Sequence, residues 1–200
     1  MKHPTVTFVW RDDRLWRAPL NASPTYLDKA KWLVSRASLS PVHQQRRVVS
    51  ELAEQLKQKC PAVDFAVAGL GQAGDFPGWI TDLRRTEVDA VIERQWCARY
   101  ANSHIVCGGH GSNMLLPSAH AGAVVELLGS ERWGNYLQDI LFRRGDCREM
   151  FFRYRFVPDT TAPKMLADLL HLLLRDHHGL QLLMSPRYCK HGLDPQSLQQ

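Results

Sequence analysis

The residues best suited to chemistry in this 200-residue chain lie in Ile105-Val106-Cys107-Gly108-Gly109-His110-Gly111-Ser112-Asn113, followed by Gly122-Ala123-Val124-Val125-Glu126-Leu127. A short apolar run opens into a glycine turn around one histidine, then into a helix start bearing a hydroxyl and an amide. Gly108, Gly109 and Gly111 let the backbone approach a ligand closely and adopt positive φ. The unpaired N–H groups of a first helical turn, at Ser112 and Asn113, face whatever sits there, so the turn suits an anion such as a phosphate. The competing reading is a tight strand-to-helix connection whose glycines serve packing alone. His110 is open to three roles: phosphate partner, proton carrier, or a structural ring capping a carbonyl. Glu126 closes the second apolar run at the edge where open α/β sheets place their ligands. It suits acceptance of a hydrogen bond from a ribose or sugar hydroxyl, with an ion pair to Arg132 as the alternative.

A second grouping, Arg11-Asp12-Asp13-Arg14, follows the first apolar run. The guanidinium groups of Arg11 and Arg14 match phosphate oxygens as a fork. Asp12-Asp13 resembles the acidic pair with which some sugar-transfer enzymes hold a metal, but the flanking arginines are natural partners for it, and the whole also reads as a solvated charge cluster. Gly69-Leu70-Gly71-Gln72-Ala73-Gly74 has the spacing of a dinucleotide fingerprint, yet Asp75-Phe76-Pro77-Gly78 breaks the helix that must open there, so the segment reads as a loop at the ligand edge. A nucleophile elbow around Ser112 would need glycines where His110 and Met114 stand. Cys107 and His110 are spaced like two zinc ligands without a second pair, so no metal is expected. His177-His178 read as offsetting the negative end of a terminal helix.

The elements that must position these groups follow from hydrophobic periodicity. Thr5 to Trp10, Val63 to Ala68, Ile105 to Cys107 and Ala123 to Leu127 read as strands. Gln44 to Lys59 and Glu87 to Tyr100 carry apolar residues at helical spacing, and Pro61 stops the first of them. Residues 17 to 42 form a long connection able to carry ligand contacts. Asn135 to Phe142 reads as a further helix, Glu149 to Phe156 as a strand, and Pro163 to Asp176 as a terminal helix opened by proline. Strand and helix alternating in this way predict an α/β fold, a Rossmann-like parallel sheet with helices on both faces.

With 44% hydrophobic residues the chain can bury the core of one α/β domain. It has no apolar run of about eighteen residues and no leader pattern, so it reads as free of transmembrane segments. Five cysteines, an odd number without a C-x-x-C pair, suggest reduced thiols and a cytoplasmic location. The net charge of +5 fits a phosphate-bearing ligand and equally a merely basic surface, so the balance alone decides nothing. The basic residues are scattered in pairs (Arg46-Arg47, Arg84-Arg85, Arg143-Arg144) rather than gathered in a stripe, which argues against nucleic acid.

The stretch from Ala101 to Asn113, with Val124-Val125-Glu126-Leu127, resembles the C-terminal core of the family 61 glycosyltransferases, in which a G-x-H-G-A turn precedes an apolar helix and a V-V-E strand. Ser112 stands here where the family usually has alanine. The order of elements extends the resemblance loosely over residues 4 to 145. It implies the C-terminal half of a GT-B architecture: residues 1–158 as a Rossmann-like nucleotide-sugar-binding domain, 159–185 as a C-terminal helical extension packing toward a partner domain, and 186–200 as a loose tail. It implies an inverting transfer from a nucleotide-sugar donor to a glycan or protein hydroxyl, with no metal or other cofactor required. The turn from Gly109 to Asn113 would hold the diphosphate, with Glu126 near the ribose and Arg11 or Arg14 adding charge. The general base of such enzymes often comes from an N-terminal domain, for which this chain leaves little room. His110 is the in-chain candidate. A non-catalytic module for a nucleotide or phosphorylated metabolite is the alternative.

Overall fold

The computed structural model describes residues 3–18, 40–135 and 154–184. In chain order these form β1 (Thr5–Arg11), α1 (Pro41–Lys59), β2 (Asp64–Leu70), β3 (Thr81–Arg85), α2 (Ala90–Ala101) and β4 (Ile105–Gly109). A 3-10 turn (Ser112–Met114) then runs into α3 (Leu115–His120), followed by β5 (Ala123–Leu128), a second 3-10 turn (Ser130–Asn135), β6 (Tyr154–Pro158) and α4 (Pro163–Met184). The strands make one sheet in the order β3-β2-β1-β4-β5-β6, with every pair parallel. This is a Rossmann-like α/β fold, as the alternation of elements predicts.

Parallel strands are covered on both faces and therefore read as unbroken apolar runs. On one face Phe8, Trp10, Phe65, Val67, Ile105, Cys107 and Val125 pack against Val49, Leu52 and Leu56 of α1 and Leu166, Leu170 and Leu174 of α4. On the other, Val9, Ala68, Val106 and Val124 pack with Tyr100 of α2 and with Met114. The segment from Pro163 thus shares the core of the sheet. No helix among the described residues is long and apolar enough to cross a membrane.

Capping decides where the helices start. Ser40 receives the amide of His43, and Pro41 occupies the first turn, so α1 opens a few residues before the apolar spacing suggests. Asp89 receives the amides of Val91 and Ile92, each at 2.8 Å, so α2 opens at Ala90 rather than Glu87. Gln45 shares the buried stripe of α1 and is 1% exposed. Its Oε1 accepts from the amide of Trp16 at 3.1 Å and its Nε2 donates to the carbonyl of Arg11 at 3.2 Å.

β3 departs from the expected alternation. Its sequence, Thr-Asp-Leu-Arg-Arg, has no apolar run, and residues 71–80 between β2 and β3 form no helix. The strand pairs in parallel with β2 at the sheet edge, and its Arg84 is wholly buried there. Its guanidinium lies 4.7 Å from the ring centre of Trp10 and 4.5 Å from that of Phe76. It donates to Asp82 through Nε at 2.9 Å and Nη2 at 2.7 Å, and through Nη2 to the carbonyl of Gly74 at 2.7 Å. The amide of Gly74 donates back to Asp82 at 2.8 Å. The loop is thereby gripped at both its donor and its acceptor, and no helix opens at Gly74, as the reading of the glycine spacing expects.

The histidines of the terminal helix require a correction. α4 continues to Met184, so His177 sits within it rather than at its negative end. It is buried and packs edge-on against His104, ring centres 5.0 Å apart. The expected helix from Asn135 and the tail after residue 185 fall outside the described residues, as do 19–39 of the long connection. Of the expected strand from Glu149, the described part begins at Tyr154.

The Asp82 carboxyl sits below its usual value. Burial alone would raise it, but hydrogen bonds from Arg84 and from the amides of Gly74 and Arg84, with the Arg84 charge, outweigh that penalty. The pair therefore stabilises the fold above the unfolded carboxyl value of 3.8, and the contribution is lost as pH falls through the lower folded value. Arg84→Met should lower stability in urea by about 3 kcal/mol at pH 7. It should also flatten the wild type's decline below pH ~4, where Asp82 takes up its proton.

Candidate functional site

The chain leaves β1 by a connection covering one face of the sheet, through α1, and leaves β4 by one covering the other, through α3. β1 and β4 are paired neighbours, Val9 opposite Gly108. Their C-terminal ends therefore meet where the crossovers diverge, the place where open α/β sheets form a ligand crevice. The glycine turn after β4 and the Arg11–Arg14 segment after β1 both lie there.

The three glycines have different tasks. A side chain at Gly108 would stand 2.7 Å from the carbonyl oxygen of Val9 and 2.9 Å from its Cβ, so this glycine serves the close pairing of β4 with β1. Gly109 lies against the main chain of Arg14, whose carbonyl oxygen would be 3.2 Å from an added Cβ. Gly111 has φ of +143°, and an added Cβ would collide with Nη1 of Arg14. That same Nη1 donates to the carbonyl of His110 at 2.9 Å. Arg14 is thus laid across the turn, while Asn113 fastens the turn from below by donating to the carbonyl of Gly109 at 3.1 Å. Ser112 is exposed and starts the 3-10 turn. A helix leaves the amides of its first residues without carbonyls of its own to meet.

His110 is 3% exposed. Its Nδ1 lies 2.5 Å from Oε2 of Glu126, which is fully buried. Its amide donates to the carbonyl of Leu127 at 2.9 Å, and Phe156 packs edge-on against its ring. Glu126 is therefore placed neither at the surface beside Arg132 nor at the open rim: its carboxylate holds the histidine. A carboxylate on one ring nitrogen sets the tautomer and orientation of an imidazole and directs its proton chemistry to the other.

The acidic pair after β1 diverges. Asp12 accepts from the indole N–H of Trp10 at 2.7 Å, whereas Asp13 takes both Nε and Nη2 of Arg11, at 2.8 and 2.9 Å. The hydrogen bond and charge of Asp13 raise the Arg11 pKa further above its usual value despite some burial. Arg11 thus already holds a carboxylate in its fork. Cys107 is buried in the apolar face behind the turn, where loss of solvent pushes its thiol far up. Among the described residues no group of three or more histidine, cysteine or carboxylate side chains could hold a metal, and Cys60, Cys97 and Cys107 are free thiols.

The glycine turn is a ridge between two clefts. One, of about 210 Å³, is charged: Asp13, Arg14, Arg17, Glu131, Arg132 and Asp159 surround Gly109 and His110. The other, of about 150 Å³, is mostly apolar, with Leu70, Trp96, Tyr100 and Leu116 among its walls and Ser112, Asn113 and Arg11 at its turn side. Trp96 is fixed by donating from its indole to the carbonyl of Leu83 at 2.8 Å. Pockets for small molecules usually measure about 300–1,000 Å³, which these two reach only together. Sequence reasoning placed Trp96 and Tyr100 only on a helix, and nothing local marks Arg17 or Asp159 as cleft residues. They meet the site because Arg17 pairs with Asp159 at 3.2 Å and with Glu131 at 3.0 Å across the tips of β1, β5 and β6.

No protein-family model matches the chain, and no curated protein matches its sequence.

Gly111→Ala should force a strained φ and push Arg14 off the His110 carbonyl. The expected loss is about 1–3 kcal/mol in chemical denaturation, with helical content by circular dichroism unchanged.

Proposed function

We propose that the chain is the donor-binding, Rossmann-like half of a GT-B glycosyltransferase, an inverting enzyme that moves a sugar from a nucleotide donor to a glycan or protein hydroxyl. The observation that carries this reading is the buried His110–Glu126 pair, whose histidine lines the charged cleft from within the glycine turn that Arg14 crosses. A base held by a carboxylate beside a glycine turn crossed by an arginine is a pairing that such a transfer can use. The resemblance to family 61 glycosyltransferases agrees with it, and rests on this same turn and strand.

In the proposed reaction the acceptor hydroxyl oxygen attacks the anomeric carbon from the side opposite the diphosphate and its proton passes to the His110 imidazole, which must face the acceptor while the adjoining amides face the diphosphate. The bond from that carbon to the diphosphate oxygen breaks, and the nucleoside diphosphate leaves with the electron pair. Glu126 keeps the imidazole oriented and stabilises it once protonated. Arg14, together with the amides around Gly111 and Ser112, meets the negative charge of the leaving diphosphate, so the transfer needs no metal. The apolar cleft takes the flat base of the nucleoside. Arg11 serves the site through its ion pair with Asp13 rather than as a direct phosphate ligand.

A second reading is a non-catalytic module binding a nucleotide or phosphorylated metabolite in the same two clefts. The near-complete burial of His110 favours it, since a proton carrier must reach its substrate.

The two readings separate in one set of assays. A panel of nucleoside diphosphates and nucleotide sugars, with NAD as a control, should raise the melting temperature saturably for one donor class. Gly111→Val should remove that shift. His110→Ala should cut transfer at least about a hundredfold while leaving donor affinity within a few-fold. Equal loss of both would favour the binding module, and no stabilisation by any nucleotide would refute the donor-binding reading and narrow the module to one for a phosphorylated metabolite that is not a nucleotide.

A further inference from the structure

We propose that Gln45 is a positioning residue that holds Arg14 over the glycine turn. The inference rests on the reading of Arg14 as the cation that faces the ligand's phosphates. α1 buries Val48, Val49, Leu52, Ala53 and Leu56 against the sheet, and Gln45 is the one side chain with a primary amide on that stripe. Burying such an amide is costly unless both of its ends are bonded. Both are, and to two main-chain groups of the same short segment: Arg11 O at 3.2 Å and Trp16 N at 3.1 Å. Those groups bracket Asp12, Asp13, Arg14 and Leu15, at the point where β1 has ended and no neighbouring strand bonds the chain. Among the described residues the other hydrogen bond of this turn's main chain is the long one, 3.4 Å, from the Arg14 amide to the Arg11 carbonyl.

The far side of the segment is anchored separately. The Arg17 amide donates to the Asp159 carbonyl at 3.0 Å, and the Trp16 indole to the Thr161 carbonyl at 2.9 Å. What remains to be fixed is the path between Arg11 and Trp16, which sets where the Arg14 guanidinium starts from. The Gln45 amide closes that path as a neighbouring strand would. An apolar side chain of equal length would fill the same space but leave Arg11 O and Trp16 N unbridged. Arg14 could then leave the His110 carbonyl and cease to face the turn. Gln45 lines neither cleft, and its contact with the cleft residue Arg11 is to the main-chain carbonyl alone; it acts through the segment that carries Arg14.

The test uses the full chain and inorganic pyrophosphate, with affinity measured by calorimetry for wild type, Gln45→Met, Arg14→Ala and the double variant. Amide exchange is followed over residues 11–17 and over the interior of α1. Gln45→Met should weaken pyrophosphate on the order of tenfold in the wild-type background and leave the already weakened Arg14→Ala protein unchanged. It should speed exchange at residues 12–16 while sparing α1. Gln45→Asn keeps an uncharged amide but is one methylene shorter, so it can hold only one of the two main-chain groups. It should give an intermediate loss and serves as the readout should the methionine variant not fold. Equal losses in both backgrounds, or exchange rising evenly through α1, would show that Gln45 contributes only stability and overturn the proposal. So would unchanged affinity with unchanged exchange. Pyrophosphate binding that is absent in wild type, or indifferent to Arg14→Ala, would instead refute the reading of Arg14, and the positioning role would fall with it even if the turn loosens.

Discussion

Everything at the candidate site depends on β1 being sandwiched between two parallel neighbours, β2 and β4, and buried on both faces. A parallel pair cannot be joined by a tight hairpin, so each exit from the sheet needs a crossover. A sheet buried on both sides needs crossovers on each of them. The exits of β1 and β4 satisfy both conditions by turning to opposite faces. The crevice between their ends is a geometric consequence of covering the sheet, and it exists before any ligand chemistry is considered.

The side chains around that crevice are mostly occupied with each other. Asp13 fills the fork of Arg11, Asp12 takes the indole of Trp10, Glu126 takes His110, and Arg14 holds the carbonyl of the residue it overlies. Such mutual pairing limits the cost of burying polar groups next to an apolar core, and it also preorganises them. The same logic operates away from the crevice. Arg84 is buried at the sheet edge because two aromatic faces, one carboxylate and one carbonyl surround it. A loop without secondary structure is thereby tied to the sheet edge at Gly74.

How much of this was legible in the sequence can be judged from particular residues. The strands at Thr5, Val63, Ile105 and Ala123 announce themselves because doubly buried parallel strands are continuously apolar. The glycine turn announces itself because Gly111 must take a positive φ. β3 is not legible: it has no apolar run, and Arg84 looks like a surface residue until Trp10 and Phe76 are known to enclose it. Gln45 left a signal, a polar residue in register with Val48, Val49 and Leu52, but its meaning depends on which main-chain groups lie opposite.

By itself, then, the amino-acid sequence determined the fold class, the order of the elements other than β3 and the turn around His110, since these rest on local properties: periodicity, backbone freedom and capping. The tertiary structure alone decided that Glu126 serves His110. The two are sixteen positions apart, and they meet because β4 and β5 pair with Gly108 opposite Glu126. A shift of one residue in that register would send the carboxylate to the other face of the sheet. Pairing register is a long-range property, set by the packing of the whole sheet, and no local pattern encodes it.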